Sequence, residues 1–431
     1  MSHGDEQKNA GYNPQKVQIV AEIGSGHTGD IPHARELIHA AVEAGADLIK
    51  FQHFYADEIL HPRTGNVDLP SGNIDLFQRF RELETSADFL FRLKESCTEL
   101  GGVFFCSPFG LRSAADLLEI GERSFKIASP ELNHLPLLRF LSSRAESLVL
   151  STGVSFLGDI EEALGCIRQA ANATRATGAA QEASAARLPH ITLLHCVTAY
   201  PAPASEYNLR LIPNLGRMFG LPIGISDHSR NPVLVPSCAV LLGAVMVEKH
   251  FTLNRSGEGL DDAIALSPAE FSSMVDAVRE AEQIRNSPNS GSPTSSSASP
   301  TSSFGCLKKQ WAEHSMLKTH DSEELFQILG KGSKYLAHSE RANYRSSRRS
   351  IHLREARKAG HVLQRDDMLI LRTEKNLITG LHPRYFDHLI GCRLTGPVAA
   401  GEGIVWQDVL DHRRSLPLRT EFPQSTIDIV S

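Results

Sequence analysis

Residues 191–226, ITLLHCVTAYPAPASEYNLRLIPNLGRMFGLPIGIS, contain the pattern that decides the fold. An apolar run over 191–197 is followed by a stretch of helical period over 209–219, and a second apolar run occupies 221–226. Because a helix separates the two runs, the strands that they predict are parallel and joined by a right-handed crossover. The stretch is therefore predicted to be one β-α-β unit.

Runs of this kind recur through the N-terminal two thirds of the chain, each followed by a segment of helical period. They lie at 17–23, 48–53, 102–107, 124–129, 147–152, 191–197, 221–226 and 245–251. Eight units within about 270 residues match the size of a (β/α)8 barrel, also called a TIM barrel. A doubly wound parallel sheet is the alternative, since strand counts from a single sequence are error-prone.

The chain divides at a low-complexity stretch, residues 287–303, which reads SPNSGSPTSSSASPTSS. This composition predicts a flexible linker. The barrel domain is then expected to occupy 14–286. After the linker, residues 304–345 have a helical pattern, and 346–412 contain short β-like runs with turns, which predicts a helical connection and a small β-rich domain. Residues 413–431 are expected to be a loose tail.

The overall composition excludes several classes of protein. The chain has 431 residues, a net charge of −6 and 41% hydrophobic residues. It is therefore expected to be globular, with no overall basic field for nucleic acid or an anionic membrane. No apolar run reaches the roughly 18 residues that a membrane helix needs. Seven cysteines without a CxxC pair, and a polar N-terminus, favour the cytoplasm.

Polar and charged residues stand at nearly every predicted strand end, where (β/α)8 enzymes carry their active sites. Lys50 and Lys126 are expected at the same mouth of the barrel, together with Ser107, Ser129 and Ser151. Two ammonium groups with several hydroxyl donors suit a phosphate group, which needs both charge neutralisation and hydrogen bonds. These residues predict a phosphate-binding site.

Two of the 19 histidines, His228 and His250, end neighbouring predicted strands. Neutral imidazoles in such positions, with carboxylates one or two residues away, can hold a divalent metal ion and leave positions open for substrate. A metal site is the hypothesis. The alternative is that both are ordinary buried histidines.

Two further patterns support competing hypotheses. Residues 24–29, GSGHTG, match the GxGxxG loop of dinucleotide-binding folds, which predicts an NAD-dependent oxidoreductase. The second strand of such a fold should end in an acidic residue, whereas this chain has Lys50, so a glycine-rich barrel loop is the preferred interpretation. Residues 341–358 hold seven basic residues and one acidic residue. A solvated face is the usual meaning of such a run, and nucleic-acid binding is the alternative.

A series of short motifs runs in order along the chain. They are AEIG at 21–24, HTGD at 27–30, AGADLIKFQ at 44–52, FFCSPF at 104–109, FKIAS at 125–129, LSTG at 150–153, LHCVTAYP at 194–201, GISDHS at 224–229, EKHFT at 248–252, RRSI at 348–351, GLHP at 380–383 and LIG at 389–391. Together they resemble the N-acetylneuraminate (sialic acid) synthase family, whose members end in an antifreeze-like (SAF) domain. The resemblance covers about residues 17–412.

The resemblance implies a (β/α)8 barrel followed by a small β-rich SAF domain. It also implies an enzyme that condenses phosphoenolpyruvate with an N-acyl amino sugar, such as N-acetylmannosamine, and releases phosphate. A diacetamido hexose acceptor, leading to legionaminic- or pseudaminic-type acids, is the alternative. A divalent metal, Mn²⁺ or Mg²⁺, and a domain-swapped homodimer, in which each SAF domain covers the partner's barrel, are further implications.

The resemblance also assigns roles to individual residues. His228 and His250 are the expected metal ligands, and Thr198 and the partner's Arg349 are expected at the acceptor sugar. The expected phosphoenolpyruvate ligands are Lys50, Ser107, Lys126, Ser129, Ser151 and Ser226. The expected catalytic region contains Glu22, Glu131, Tyr200 and Asp261. Either Glu22 or Glu131 would carry the proton for the addition of water.

Three departures from the family pattern lie near the expected acceptor sugar. Gly26 stands where the family usually has Asn before the histidine, and Thr198 stands where many members have Asn or Ser. Residues 259–262, GLDD, replace a more usual Gly-Pro-Asp-His. These changes leave the identity of the acceptor open, whereas the expected phosphoenolpyruvate and metal residues are all present.

Overall fold

The computed structural model of the chain describes residues 16–410, apart from 70–71, 177–187, 258, 288–299 and 375. Its strands are β1 (Gln18–Gly24), β2 (Leu48–His53), β3 (Asn66–Leu69), β4 (Gly72–Asp75), β5 (Val103–Pro108), β6 (Ser124–Ile127), β7 (Ser147–Ser151), β8 (His190–Cys196), β9 (Ile223–Asp227), β10 (Met246–His250), β11 (Arg349–Leu353) and β12 (Met368–Arg372). Its helices are α1 (Ile31–Glu43), α2 (Ala56–Ile59), α3 (Leu76–Glu82), α4 (Ala87–Glu99), α5 (Leu111–Glu119), α6 (Leu135–Ser142), α7 (Leu157–Ala176), α8 (Leu211–Phe219), α9 (Leu234–Leu241), α10 (Pro268–Asn286), α11 (Pro300–Glu313), α12 (Ser322–Leu329), α13 (Asn343–Ser346), α14 (Phe386–Leu389) and α15 (Trp406–Val409).

Eight parallel strands close into a barrel in the order β1-β10-β9-β8-β7-β6-β5-β2. β1 pairs with both β2 and β10, which closes the ring. This confirms the (β/α)8 prediction, and the doubly wound alternative is wrong, because an open sheet would leave two strands with a free edge. Each predicted run overlaps its strand, with both ends within two residues of the observed ones.

The interior of the barrel is apolar at its centre and polar at one end. A buried cluster inside it is formed by Val20, Leu48, Phe105, Val149, Leu194 and Met246. Side chains two positions apart on a strand share a face. The residues two positions further along these strands therefore also face the interior, and they include Glu22, Lys50, Ser107, Ser151 and Glu248. The apolar layer fills the barrel below them, so polar chemistry is confined to the mouth formed by the carboxyl ends of the strands.

The helices pack around the barrel through their apolar stripes. In α1, for example, Ala34, Leu37, Ile38 and Ala41 are buried at helical spacing and join the cluster between strands and helices. Helix α10 begins with a capping box, in which Ser267 and Glu270 satisfy each other's backbone N–H groups. Because the helices cover the outside of the barrel, its interior is reached through the mouth.

The C-terminal domain lies over the barrel mouth of its own chain. Its core includes Ile351, Leu353 and Leu363, and its strands β11 and β12 form an antiparallel pair. The resemblance implied contact with a partner's barrel, and for this single chain that exchange stays a prediction. The β3–β4 hairpin, which the sequence did not predict, reaches this domain, because Asn376 donates to the carbonyl oxygens of Thr64 and Asn66.

Two predicted segments fall mainly outside the described residues. Of the predicted linker 287–303, residues 288–299 are outside, and helix α11 begins at Pro300. The predicted tail 413–431 is also outside. Among the described residues, no helix is both long and apolar enough to cross a membrane.

Candidate active site

Two lysines and two carboxylates meet at the barrel mouth. Lys50 donates to Glu22, and its Nζ lies 3.8 Å from Glu248 Oε2. Lys126 Nζ lies 3.3 Å from Glu248 Oε1, which also accepts a hydrogen bond of 2.8 Å from Ser226. All five side chains are buried. The structure thus brings together Lys50 and Lys126, as the sequence predicted.

Burial and neighbouring charges set the protonation of this cluster. Burial lowers the pKa of Lys50 to about 8. Burial would raise the pKa of Glu248, but the ammonium groups of Lys126 and Lys50 lower it to about 2. Glu248 is therefore a fixed anion that holds the two cations side by side. The sequence motif EKHFT at 248–252 contains this residue, but no sequence pattern indicated its role.

Two of the predicted serines carry unsatisfied hydroxyl groups. Ser107 and Ser151 are buried, and neither Oγ has a hydrogen-bond partner among the described residues. Ser129 Oγ, by contrast, accepts a hydrogen bond of 3.0 Å from the N–H of Gly153. Buried hydroxyls without partners are rare in folded proteins. Their position near the lysines fits a ligand that supplies acceptor oxygens.

The two predicted metal ligands lie next to each other. The ring centroids of His228 and His250 are 5.5 Å apart. His228 Nδ1 lies 2.8 Å from the carbonyl oxygen of Val197 and must donate to it, so Nε2 is the nitrogen that could contact a ligand. Burial lowers the pKa of His250 well below its usual value, so this ring is neutral at pH 7. Tyr200 packs over His228, with 4.3 Å between the ring centroids.

The donor set near these histidines fits an open metal site only. Among the described residues, no three His, Cys, Asp or Glu side chains are grouped to hold a metal ion. Asp261 Oδ2 lies 3.8 Å from His250 Nδ1, so this carboxylate borders the histidine pair. Two imidazoles on adjacent strands can serve as ligands if substrate and water oxygens complete the coordination.

Glu131 joins the barrel to the C-terminal domain. Arg349 lies 2.9 Å from Glu131 Oε1, and Arg372 donates to both carboxylate oxygens, at 2.8 and 3.0 Å. The two arginines face each other in the register of β11 and β12. The structure therefore encloses Glu131, a predicted catalytic residue, between two guanidinium groups.

Arg349 has a different environment from the predicted one. Its guanidinium donates to the carbonyl oxygens of Glu58 and Phe109 as well as to Glu131, and its side chain has no exposed surface. These contacts lie within one chain and leave no donor directed at a sugar. Arg372, which sequence reasoning missed, is partly exposed, and its Nη1 has no hydrogen bond among the described residues. Arg372 is the better candidate for contact with an acceptor.

A second overlooked residue, Glu340, anchors the segment before the C-terminal domain. Its Oε1 accepts hydrogen bonds of 2.8 Å from the N–H groups of Val154 and Thr198. Asn343 donates to the carbonyl oxygen of Thr198. Both backbone polar groups of Thr198, which was predicted to contact the acceptor sugar, are thus hydrogen-bonded to residues of the 340–343 segment. Because these segments are distant in the sequence, only the three-dimensional structure reveals the contact.

Two of the departures from the family pattern are neighbours in space. A Cβ atom on Gly26 would lie 3.5 Å from Asp262 Oδ1. Asp262 accepts a hydrogen bond of 2.8 Å from the N–H of Gly259. A small cavity beside them is lined by Glu22, His250 and Asp261. The altered positions therefore border the predicted catalytic groups.

The competing hypotheses have little structural basis. The 24–29 loop connects β1 of a closed barrel to α1, and a closed barrel is not a dinucleotide-binding sheet. Gly24 and Gly29 both have positive φ, so these glycines are explained by the turn that they form. In the basic segment 341–358, Arg348 pairs with Asp159 at 2.6 Å and Arg357 pairs with Asp367 at 2.9 Å.

The fold and the site define a (β/α)8 enzyme with two buried lysines at the barrel mouth and a small covering domain. Residues 37–289 match the NeuB family, and residues 348–410 match the SAF domain. The chain therefore belongs to the NeuB family, as the sequence motifs predicted. The SAF match also confirms the nature of the C-terminal domain.

Individual relatives extend this likeness over most of the chain. The spore coat polysaccharide biosynthesis protein SpsE of Bacillus subtilis is 33% identical over 398 residues, covering 91% of this chain and 94% of the relative. The N,N'-diacetyllegionaminic acid synthase of Legionella pneumophila is 28% identical over 395 residues, with the same coverage of 91% and 94%. The crystal structure of the B. subtilis SpsE protein superposes with a TM-score of 0.70 at 31% identity, covering 94% of this chain and 98% of that one.

Proposed function

We propose that this protein is a nonulosonic acid synthase, which condenses phosphoenolpyruvate with an N-acyl amino sugar and releases phosphate. One observation carries the proposal. Two buried lysines, Lys50 and Lys126, lie at the same barrel mouth as the partnerless hydroxyls of Ser107 and Ser151. Such a group of donors matches the phosphate of phosphoenolpyruvate, and the histidine pair stands at the same end of the barrel.

The acceptor is a sialic acid precursor such as N-acetylmannosamine, or a diacetamido hexose. The relative from Legionella pneumophila is named as a synthase of a diacetamido product, which supports the second choice. The altered positions Gly26 and Asp262 border the catalytic groups and would shape this pocket. Arg372 would donate to an acyl carbonyl of the sugar through its unpaired Nη1.

The reaction follows from the chemistry of the two substrates. The terminal methylene carbon of phosphoenolpyruvate attacks the carbon of the sugar aldehyde, whose oxygen takes up a proton and becomes a hydroxyl group. The adjacent carbon, which bears the phosphate, becomes an oxocarbenium-like centre. Water adds to this centre, and the resulting hemiketal phosphate expels phosphate to give a 2-keto acid. Lys50 and Lys126 neutralise the phosphate as its bond to carbon breaks, which is an electrostatic role. A phosphate in this position would accept the hydrogen bond that Lys50 otherwise donates to Glu22.

The structure favours Glu22 over Glu131 as the proton carrier. Glu131 is enclosed by two guanidinium groups, and Arg372 donates to both of its carboxylate oxygens. Glu22 is bonded to Lys50 and to Gln52, at 2.9 Å, and lies beside the cavity that His250 also lines. A carboxylate released from Lys50 by the incoming phosphate can accept a proton from water.

His228 and His250 would hold a divalent ion, Mn²⁺ or Mg²⁺, through His228 Nε2 and a ring nitrogen of His250. When bound, such an ion supplies Lewis acidity toward a carbonyl oxygen. The residues around it orient these ligands, as Val197 does for His228. The ion itself remains part of the proposal.

We also propose a domain-swapped homodimer, in which the contacts of Arg349 and Arg372 with Glu131 are made between subunits. In such a dimer, the part of the chain that follows α10 would make its barrel contacts with the partner. Coexpression of Lys50→Ala and Arg349→Ala chains tests this. A swapped dimer restores one complete site per mixed dimer, whereas an unswapped dimer restores none, and light scattering gives the oligomeric state.

The cellular location proposed is the cytoplasm. The described cysteines, which include Cys106 and Cys196 near the site, are all unpaired thiols. A reducing compartment would keep them so. Fractionation of cells that express the tagged chain tests this location.

The decisive assay for the function is phosphate release from phosphoenolpyruvate in the presence of Mn²⁺, across a panel of mono- and diacetamido hexoses. We expect release with one acceptor class only. Lys50→Ala should abolish it, while Lys94→Ala, a change at a lysine that pairs with Glu122 away from the mouth, should not. No release with any acceptor would exclude the proposed function.

A further inference from the structure

A buried ion pair lies directly behind the histidine pair. Asp227 and Lys249 are register neighbours on β9 and β10, and each immediately precedes one of the histidines in the chain. Consecutive strand residues point to opposite faces, so this pair occupies the outer face of the barrel while His228 and His250 face the mouth. Lys249 Nζ lies 2.6 Å from Asp227 Oδ2, and the two side chains are 1% and 0% exposed.

The pair is fully hydrogen-bonded. Lys249 also donates to the carbonyl oxygen of Ser229 and lies 3.4 Å from the carbonyl oxygen of Asn231. Asp227 Oδ1 accepts a bond of 2.8 Å from the N–H of Ser229 and one of 2.5 Å from the hydroxyl of Tyr207. A buried charge pair with all its partners in place holds one geometry, because any shift leaves a charge unpaired.

Tyr207 connects this pair to His228. Its hydroxyl donates to Asp227 and accepts from two backbone N–H groups, those of His228 at 2.7 Å and Ser229 at 3.0 Å. One donor and two acceptor positions are all that a phenol offers, so the oxygen is saturated. The carbonyl oxygen of Tyr207 in turn contacts His195 on β8. The network therefore ties together β8, β9 and β10.

His228 is thereby held both at its backbone and at its ring. Tyr207 holds the backbone N–H, and Val197 accepts from Nδ1 at 2.8 Å. Nε2 remains as the free nitrogen. Tyr207 is completely buried and lies on the outer side of the strands, so it cannot touch a substrate.

We propose that Tyr207, braced by Asp227 and Lys249, is the positioning residue that sets the separation and direction of His228 and His250 for a divalent cation. The inference rests on the proposed function only through the assignment of these histidines as ligands. The network acts on the geometry of the two histidines and does not contact Lys50 or Lys126. Its loss should therefore weaken the binding of the metal ion without weakening the binding of phosphoenolpyruvate.

The test compares Tyr207→Phe with the wild-type protein. Binding of Mn²⁺ is followed by the loss of the free-ion electron paramagnetic resonance signal, and binding of phosphoenolpyruvate is measured by calorimetry without metal. Loss of outer hydrogen-bond partners typically weakens a metal site about 10- to 100-fold, so we expect the Mn²⁺ Kd of the variant to rise in that range. The phosphoenolpyruvate Kd should stay within about twofold.

Tyr55→Phe is the matched control, since it removes a tyrosine hydroxyl that donates to Asp116 at 2.7 Å, away from the histidines. It should leave the Mn²⁺ Kd unchanged. Asp227→Asn keeps the shape of the side chain and removes its charge, and it is the second variant if Tyr207→Phe fails to fold. It should also raise the Mn²⁺ Kd while leaving the phosphoenolpyruvate Kd unchanged.

An unchanged Mn²⁺ Kd in a folded variant would overturn the inference, and so would a parallel loss of phosphoenolpyruvate affinity, which indicates a general structural role. A wild-type protein that binds no Mn²⁺ would also overturn it. In that case turnover of both substrates without added metal would show that the synthase function itself stands.

Discussion

Arg349 and Glu131 form an ion pair of 2.9 Å between the C-terminal domain and the barrel, and neither side chain has any exposed surface. Arg349 also exchanges two backbone hydrogen bonds with the side chain of Asn133. The arginine is therefore a structural contact of the domain interface. Together with Arg372, it fixes Glu131 at the edge of the proposed acceptor site.

Glu131→Gln should destabilise the protein strongly, because it leaves the buried guanidinium group of Arg349 and the partly exposed one of Arg372 without an anion. Removal of one partner from a buried pair costs about 3–5 kcal/mol, and we expect that loss in the free energy of unfolding from urea denaturation. Arg384→Ala is the control, since Arg384 pairs with Glu162 at 2.8 Å while about half exposed. A surface pair contributes about 1 kcal/mol or less. Equal losses in the two variants would contradict the interface role.

Arg372→Lys should act on the acceptor. Its Nη1 has no hydrogen bond to the part of the chain that the structure describes. A hydrogen bond from a charged group is worth about 1.5–3 kcal/mol, so the acceptor KM should rise about ten- to hundredfold. The phosphoenolpyruvate KM should remain unchanged. Arg349→Lys should instead lower stability. If Arg349→Lys alone raised the acceptor KM, the original sequence prediction would be right and the assignment of Arg372 wrong.

The activity should fall in alkaline solution. The pKa of Lys50 is lowered to about 8 by burial, so its ammonium group is charged below that pH and neutral above it. We expect kcat/KM for phosphoenolpyruvate to be level below pH 8 and to decline as the pH rises through about 8. Lys50→Arg keeps the charge at all these pH values. Its profile, at whatever lower activity, should lack the decline, and an identical decline would show that another group is responsible.

Ser107→Ala and Ser151→Ala should reduce substrate binding without reducing stability. Neither hydroxyl has a partner within the described chain, so its loss breaks no internal hydrogen bond. We expect the phosphoenolpyruvate KM to rise about 3- to 10-fold, corresponding to about 1 kcal/mol for one hydrogen bond. Thermal unfolding should be unchanged.

The control is Ser142→Ala, at a buried serine whose hydroxyl donates to the carbonyl oxygen of Arg139 at 2.7 Å. This change should lower the unfolding temperature and leave the KM unaffected. The opposite pattern, with stability lost at Ser107 and Ser151, would assign those hydroxyls a structural role.

Much of the barrel could be predicted because its signals are local. Each barrel strand overlaps a short run rich in apolar residues, and the polar residues near the strand ends, such as Lys50 and His250, follow from strand period and topology. The β3–β4 hairpin was missed because its four-residue strands lie in a polar stretch without a buried run. It is held partly by contact with Asn376, some 300 residues away.

The roles of Arg349, Arg372 and Glu340 could not be derived from the sequence for a related reason. Their partners are Glu131 and backbone groups of the barrel loops, and nothing in the local pattern indicates which arginine is enclosed and which retains a free donor. Only the register of β11 with β12, which pairs Arg349 with Arg372, places both on one carboxylate.

The most direct test of the central claim traces the oxygen that bridges carbon and phosphorus in phosphoenolpyruvate. The substrate is labelled with ¹⁸O at that position and incubated with Mn²⁺ and the active amino sugar, and both products are examined by mass spectrometry. Because the hemiketal phosphate breaks its carbon–oxygen bond, we predict that the label leaves with phosphate and that the 2-keto acid contains all carbons of both substrates without the label. Label retained in the organic product, or phosphate released without the sugar, would contradict the account.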